Sequence, residues 1–308
     1  MVTELRREIS YSQASQKCGY ALRFYRQRAP KGPRSIGLVV GDAVHAGIQY
    51  HLAFADVRER VDDDGVIHHV DPVDVACLNA QQELDFQIER DYVRWDEPHR
   101  LTRAGQVYTS DRGRIPSYEF ARAVVAHEVR AWCARFPALR SEAVERPVRL
   151  DIGQGWTLTG RLDVEAEGGV IDIKTSTDAW DVTGREFERL EQAQLYQYAR
   201  LLEDGAPPAF FVFHVIPHSG LRFEMLADDN GQPAEVAPVD YDPEAIQVIE
   251  VAYDEAAVER AIEHRVAPQV RTIEADAYVP NTSGWWHDPK WCSYWEICPL
   301  GAAARNTR

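Results

Sequence analysis

No run of about eighteen apolar residues, the length a membrane-spanning helix requires, occurs anywhere in the 308 residues. The opening stretch Met1 to Ser10 has no hydrophobic segment of the kind that directs export, so the expectation is a soluble, intracellular chain. Cysteine is scarce and odd in number, five in all, which argues against a disulfide framework and for reduced or metal-bound thiols. Neither a Gly-rich phosphate loop ending in Lys-Ser/Thr nor a run of helicase motifs is present, so any ATP-driven step would belong to a partner. Internal repeats and low-complexity tracts are also missing. What remains is an ordinary globular composition, long enough for one large domain or two.

Positive charge is short as well: the formal net charge is -15. Phosphate contact relies on Lys and Arg, so this balance speaks against an extended nucleic-acid surface. Its distribution is uneven, however. Met1 to Arg34 holds eight Lys and Arg residues against Glu4 and Glu8 alone, while acidity gathers elsewhere, as in Asp62-Asp63-Asp64. A basic strip on an acidic body permits a short grip on nucleic acid; a merely solvated helix face is the competing reading.

The most informative stretch runs from Gly160 to Tyr198. Trp156 to Val164 reads as a strand leading into Asp163, Glu165 to Gly169 as a turn, and Gly169 to Thr175 as the returning strand. Side chains alternate along a strand, so Asp172 and Lys174 share a face while Ile171 and Ile173 enter the opposite layer. Two carboxylates on neighbouring strands suit a hard divalent cation such as Mg²⁺, which takes few protein oxygens and keeps places for water and phosphate. An ammonium two residues after one of them would stand beside the bound water and the scissile phosphate. From Leu190 to Leu201 the apolar spacing is helical, with Gln194 and Tyr198 four apart on one face.

Asp163, eight intervening residues, then Asp172-Ile173-Lys174 resembles the core of the PD-(D/E)XK nuclease superfamily. The following Gln194-x-x-x-Tyr198 is similar to the pattern of its RecB-like branch, which includes CRISPR-associated and phage RecB-type exonucleases. Gly41-Asp42-Ala43-Val44-His45, within a helix expected over Gly37 to Leu52, resembles the Gly-x-x-x-His segment of that branch, whose His is a metal ligand. The resemblance implies that His45, Asp163, Asp172 and the carbonyl of Ile173 bind Mg²⁺ or Mn²⁺. It implies further that Lys174 positions or deprotonates water, and that Gln194 and Tyr198 hold a DNA strand.

Around this centre, an N-capped helix is expected over Ser10 to Arg28, and helices over Pro72 to Trp95 and Ser117 to Phe136. Cys77 and Cys133 fall in helical patterns and read as small buried hydrophobes. Glu97 to Pro116 reads as a polar connection. Glu145 to Ile152 reads as the first core strand, and Glu145 as an ordinary exposed carboxylate before it reads as an extra metal ligand. Ala209 to Ile216 reads as a strand buried on both faces, with Leu221 to Leu226 as its partner. Asp228 to Ala237 reads as a loop, and Asp254 to Ala277 as a long helix kinked by Pro268.

The tail is dense in Trp and Cys. Cys292 and Cys298 resemble the C-terminal cysteines with which many RecB-like nucleases hold an iron-sulfur cluster, together with an N-terminal cysteine, here Cys18. The family uses four cysteines and this chain offers three, with His287 as the nearest fourth ligand. A [4Fe-4S] cluster wants four thiolates, whereas three thiolates and an imidazole suit Zn²⁺. Packing of Trp285, Trp286, Trp291 and Trp295 without any metal is the third option.

The resemblance therefore implies an α/β, restriction-endonuclease-like fold with a mixed central sheet flanked by helices. The expected organisation is one domain over residues 1–308, a helical insertion at 55–116, and an accessory lobe at 278–308 packed on the helix at 10–28. The implied activity is a metal-dependent DNA exonuclease acting on single strands or duplex ends. It would work in the cytoplasm of a bacterium or phage-infected host, with a helicase, recombinase or CRISPR adaptation partner. A catalytically lapsed binding or assembly module and a sequence-specific endonuclease are the alternatives.

Overall fold

Ser10 accepts a hydrogen bond from the Gln13 N–H at 3.2 Å, and the Gln13 side chain returns one from the Ser10 N–H at 3.0 Å. This reciprocal cap starts a helix where the sequence places one. It belongs to a computed structural model that describes residues 7–16, 18–29, 31–61, 67–91, 93–96, 107–109, 114–182, 187–227, 233–281 and 292–300.

The chain begins with strand β1 (Glu8–Ser10), helices α1 (Tyr11–Ala14) and α2 (Gly19–Arg26), strand β2 (Arg34–Ser35) and helix α3 (Ile36–Phe54). Strands β3 (Glu59–Val61) and β4 (Ile67–His69) precede α4 (Pro72–Arg90), then β5 (Val93–Arg94), β6 (Val107–Thr109) and α5 (Tyr118–Arg135). The centre of the fold follows as β7 (Ala143–Asp151), β8 (Thr157–Ala166), β9 (Gly169–Ser176), α6 (Phe187–Asp204) and β10 (Phe211–Pro217). Strands β11 (Leu221–Ala227), β12 (Pro233–Tyr241) and β13 (Gln247–Glu250) lead to α7 (Glu255–Ala261) and α8 (Ala267–Glu274).

Among the described residues, six strands form the main sheet, in the order β1, β8, β9, β10, β13, with β7 also on β8. Strand β7 runs antiparallel along one edge of β8. The other edge is shared: β1 pairs in parallel with Thr157 to Thr159, and β9 pairs antiparallel with Val164 to Ala166. Strands β9 and β10 are parallel over seven residues, and β13 closes the sheet antiparallel to β10. Both faces are covered. Helices α3, α4 and α5 bury one face over Val164, Ile171, Ile173 and Ile216. Residues of α1, α2, α6, α7 and α8 bury the other over Leu158, Leu162, Phe211 and Phe213. A mixed sheet between two helical layers is the α/β architecture that the resemblance implies.

Several boundaries differ from the sequence-based expectation. The helix expected over Ser10 to Arg28 is two helices. The side chains of Ser15 and Gln16 bond back to the Ser12 carbonyl, competing with helix continuation. Gly19 then opens α2 against the backbone of Val279, donating its N–H to that residue's carbonyl at 2.9 Å, an approach that leaves no room for a Cβ. Strand β11 does not partner β10: after Pro217 the chain turns through His218–Gly220 into a separate three-stranded sheet of β12, β11 and β6. The expected loop at Asp228 to Ala237 contains the start of β12. Pro233, inside that expected loop, and Pro238 are tolerated because β12 is an edge of its sheet, where a proline on the open side costs no ladder bond. Helix α4 is no appendage, since Ala76, Cys77, Ala80 and Leu84 belong to the main core. The C-terminal helical run is interrupted by a π turn at Ile262–Val266, immediately ahead of Pro268, which cannot donate to the ladder. No described helix is long and apolar enough to cross a membrane.

Candidate active site

The paired carboxylates lie where two strands part. Beyond Val164↔Ile171, β8 and β9 no longer pair, and Gly160 to Asp163 has no strand partner on that edge among the described residues. Asp163 fills the fork, one carboxylate oxygen accepting the Ile173 N–H at 2.9 Å. The N–H and C=O of one strand residue point to the same side, so the Ile173 carbonyl faces this fork as well. Asp172 follows on β9 with its side chain almost wholly buried, and the Lys174 ammonium lies directly against it.

His45 approaches from α3, with Nδ1 3.8 Å from the Asp163 carboxylate. Gly41, one turn earlier, makes that possible: a Cβ there would collide with Thr175 Oγ1 of β9, so only glycine lets α3 settle this close. Tyr196 approaches from α6, its ring packed over Gly160 so closely that a Cβ at that position would overlap it.

Burial sets the electrostatics. It pushes Asp172 up to about 6 against the pull of the Lys174 ammonium, and it also raises Asp163. For Lys174, burial alone would favour the neutral amine, but the two carboxylates outweigh it and the net shift is upward. Burial, then the Lys174 charge, holds His45 down at about 4, so its imidazole is neutral at neutral pH and free to coordinate. Asp172 Oδ2 is buried, and its partner is the Lys174 ammonium. Two desolvated carboxylates side by side call for positive charge, and two carboxylates, an imidazole and a carbonyl are donors that Mg²⁺ or Mn²⁺ accepts. As they stand, no three His, Cys, Asp or Glu side chains among the described residues are gathered into a metal-holding group, and Lys174 supplies the positive charge.

The helix residues resembling the strand-holding pair need correction. Gln194 does not face the fork. Its amide donates to the Ala252 carbonyl at 2.7 Å and accepts the Asp254 N–H at 2.8 Å, tying α6 to the start of α7. Tyr198 packs with the apolar layer on that same side. The α6 residue that feels the charges of Asp172, Lys174 and Asp163 is Tyr196, which has Gln192 as its hydrogen-bond partner. Two residues rotate a helix position by about 200°, so the two registers of the same Gln-x-x-x-Tyr spacing present opposite faces. Glu145 lies between the paired residues Val144 and Arg146 of β7 with φ +54, and its carboxylate is held by Gln49 and Arg161.

At the far side of α2, Cys18, Cys292 and Cys298 line a cavity of about 20 Å³ with Phe24, Tyr294 and Trp295. All three are free thiols. Burial raises the Cys292 thiol, and the other two add to the shift. Three thiols fall short of the four that a [4Fe-4S] cluster takes, and His287 lies outside the described residues, as do Trp285, Trp286 and Trp291. The chain ends meet here: Gly32 N–H donates to the Ser293 carbonyl at 2.6 Å, and the Phe24 and Tyr294 rings are 5.6 Å apart.

A comparison with curated protein sequences found no match. Among solved structures, the chain is similar to a protein from Eubacterium rectale named 'Putative exonuclease', at 11% identity over 98% of this chain and 89% of that one, with a TM-score of 0.49. It is also similar to a protein named SSO0001, at 20% identity over 51% of this chain and 59% of that one, with a TM-score of 0.27. The model of one family, described as the PD-(D/E)XK nuclease superfamily, matches residues 8–299. With that match over nearly its whole length, and with Asp163, Asp172 and Lys174 at the fork of β8 and β9, this chain belongs to the PD-(D/E)XK nuclease superfamily.

Proposed function

We propose that the chain is a metal-dependent DNA exonuclease of the RecB-like branch. The observation that carries the reading is the fork itself, where the buried carboxylates of Asp163 and Asp172 converge with the Lys174 ammonium. His45, Asp163, Asp172 and the Ile173 carbonyl would hold Mg²⁺ or Mn²⁺. The cation would acidify a bound water and polarise the scissile phosphate. Lys174 would orient the attacking water and offset charge on the phosphate, and direct displacement would invert at phosphorus. Gln192 and Tyr196 take the strand-holding role that the sequence motif suggests for Gln194 and Tyr198. Unwinding would fall to a helicase, recombinase or CRISPR adaptation partner in the cytoplasm of a bacterium or phage-infected host. For the terminal thiols, Zn²⁺ with His287 or a [4Fe-4S] cluster with a further ligand remain proposals outside the hydrolytic step.

The direct test is digestion of end-labelled linear DNA and covalently closed circles with Mg²⁺. Progressive shortening from ends is expected; discrete cuts in circles would replace exonuclease by endonuclease, and no metal-dependent loss of either would leave a binding module. The corrected helix register has its own test. Tyr196→Phe should lower turnover about tenfold, the effect of one lost hydrogen bond expressed in the rate. Gln194→Ala should instead leave turnover of folded enzyme unchanged and cost about 2 kcal/mol in urea denaturation, because two backbone groups lose their partner. The reverse pattern would restore Gln194 to the strand.

A further inference from the structure

Beside the fork opens a cleft of about 1510 Å³, larger than a small-molecule pocket needs. Its floor includes Thr159 of β8 and Thr175 of β9, each within a few residues of the site carboxylates. Six Arg and Lys side chains line it against three carboxylates. Two of those carboxylates are engaged internally: Asp42 by Arg34 at 2.6 Å, and Asp91 by Arg34 at 3.3 Å and Arg90 at 2.9 Å. Arg28 and Lys31, on the loop after α2, are exposed and have no carboxylate partner among the described residues. The Lys31 ammonium lies over the Tyr25 ring at 5.2 Å, so an aromatic face and a cation stand together on the cleft wall.

We propose that this cleft carries the backbone of one nucleic-acid strand leading to the fork, with Arg28 and Lys31 neutralising phosphates remote from the scissile bond. The inference rests on the nuclease reading and adds the substrate class, a single strand. Two observations favour a single strand over a duplex. The Asp163 and Asp172 side chains are only 14% and 2% exposed, so the scissile phosphate must descend to the fork. A duplex brings one phosphate that deep only by being kinked or unstacked, at a cost of about 1–6 kcal/mol, whereas an unpaired strand bends there at little cost. Cations interleaved with an aromatic ring are also how single strands are gripped without sequence preference.

The test uses the full chain, with Arg28→Asn and Lys31→Ala singly and together; Asn is chosen because Arg28 sits at φ +52, which Asn tolerates. Binding of a fluorescent single-stranded oligonucleotide and a blunt duplex of equal length is measured in EDTA across a salt series. Mg²⁺-dependent hydrolysis of bis(p-nitrophenyl) phosphate, which is too small to reach the cleft wall, is measured alongside. Each variant should flatten the slope of log K against log salt for the single strand by about 0.7, and the pair by about 1.4. Hydrolysis of the small ester should stay at the wild-type rate, and the wild type should bind the duplex more weakly than the single strand. An unchanged slope in the double variant, or equal binding of the duplex, overturns the proposal even if the enzyme cuts DNA. If slopes fall as expected but neither ester nor DNA is hydrolysed, the strand track stands and the nuclease reading fails.

Discussion

Asp172→Asn lowers Mg²⁺-dependent DNA hydrolysis by at least about 10³-fold and leaves the melting temperature equal to wild type or above it. The rate expectation follows from removing a charge that holds the reacting centre, where even one lost stabilising donor costs about 10²–10³ in turnover. The stability expectation follows from burial. The Asp172 carboxylate is pushed up to about 6 even with Lys174 beside it, so at neutral pH a neutral amide of the same shape removes a net cost, while Lys174 keeps Asp163 as its counter-charge. Lys174→Met should fall by a similar factor but with the opposite effect on stability. Asp172 then faces Asp163 without its ammonium, and the metal-free protein should melt lower than wild type. Added Mg²⁺ should recover much of that loss, because a ligand bound only by the folded state stabilises it in proportion to its occupancy. Calorimetry with and without Mg²⁺ reads this independently of turnover. Near-wild-type hydrolysis in either variant, or a Lys174→Met melting point indifferent to Mg²⁺, would remove the roles assigned to these residues.

The largest structural effect is expected at the join between β10 and β11. His218 Nδ1 and Glu128 of α5 meet at 2.7 Å, both buried, and the second Glu128 oxygen has no hydrogen-bond partner. Burial opposes protonation of His218, but Glu128 and the Gly37 backbone outweigh it and the imidazole is shifted upward. His218→Leu leaves a fully buried carboxylate alone and should cost about 3–5 kcal/mol, while the double change with Glu128→Leu should recover part of that. The pH dependence has a definite sign. A histidine raised above its unfolded value of 6.5 contributes stability in full below that pH, and loses it as pH climbs through the folded value. The wild type should therefore soften on the alkaline side of 6.5. Glu128→Gln, which keeps an acceptor but not the charge, should be flat across that window in thermal melts. A wild-type melting point that does not fall there would show that the pair is neutral.

How much of this was visible in the residues alone differs from one element to the next. The strand pair was legible because Ile171 and Ile173 alternate with Asp172 and Lys174 across a short turn, and alternation fixes faces without tertiary knowledge. The approach of His45 was legible as a motif, but its reason, the collision that any Cβ at Gly41 would make with Thr175, needed the packed pair of elements. The helix gave two overlapping matches to one spacing, Gln192 with Tyr196 and Gln194 with Tyr198. Spacing cannot choose between them; what chooses is which face α6 turns to the sheet. Strand β1 is too short for periodicity to register and exists because β8 offers it an edge. The cleft was hidden for a similar reason, since its walls come from residues 26–34, 90–94 and 292–294.

That dispersal bears on how the protein is made. Strand β1 finds its partner about one hundred and fifty residues further on, at Thr157 to Thr159, and Gly19 and Gly32 are fastened to Val279 and Ser293. During synthesis the segment holding Gly19 and Gly32 cannot be fastened until Val279 and Ser293 have been made, because contacts this distant in sequence are the last to close. A prematurely terminated chain thus keeps its carboxylates but never assembles the wall that would guide a strand towards them.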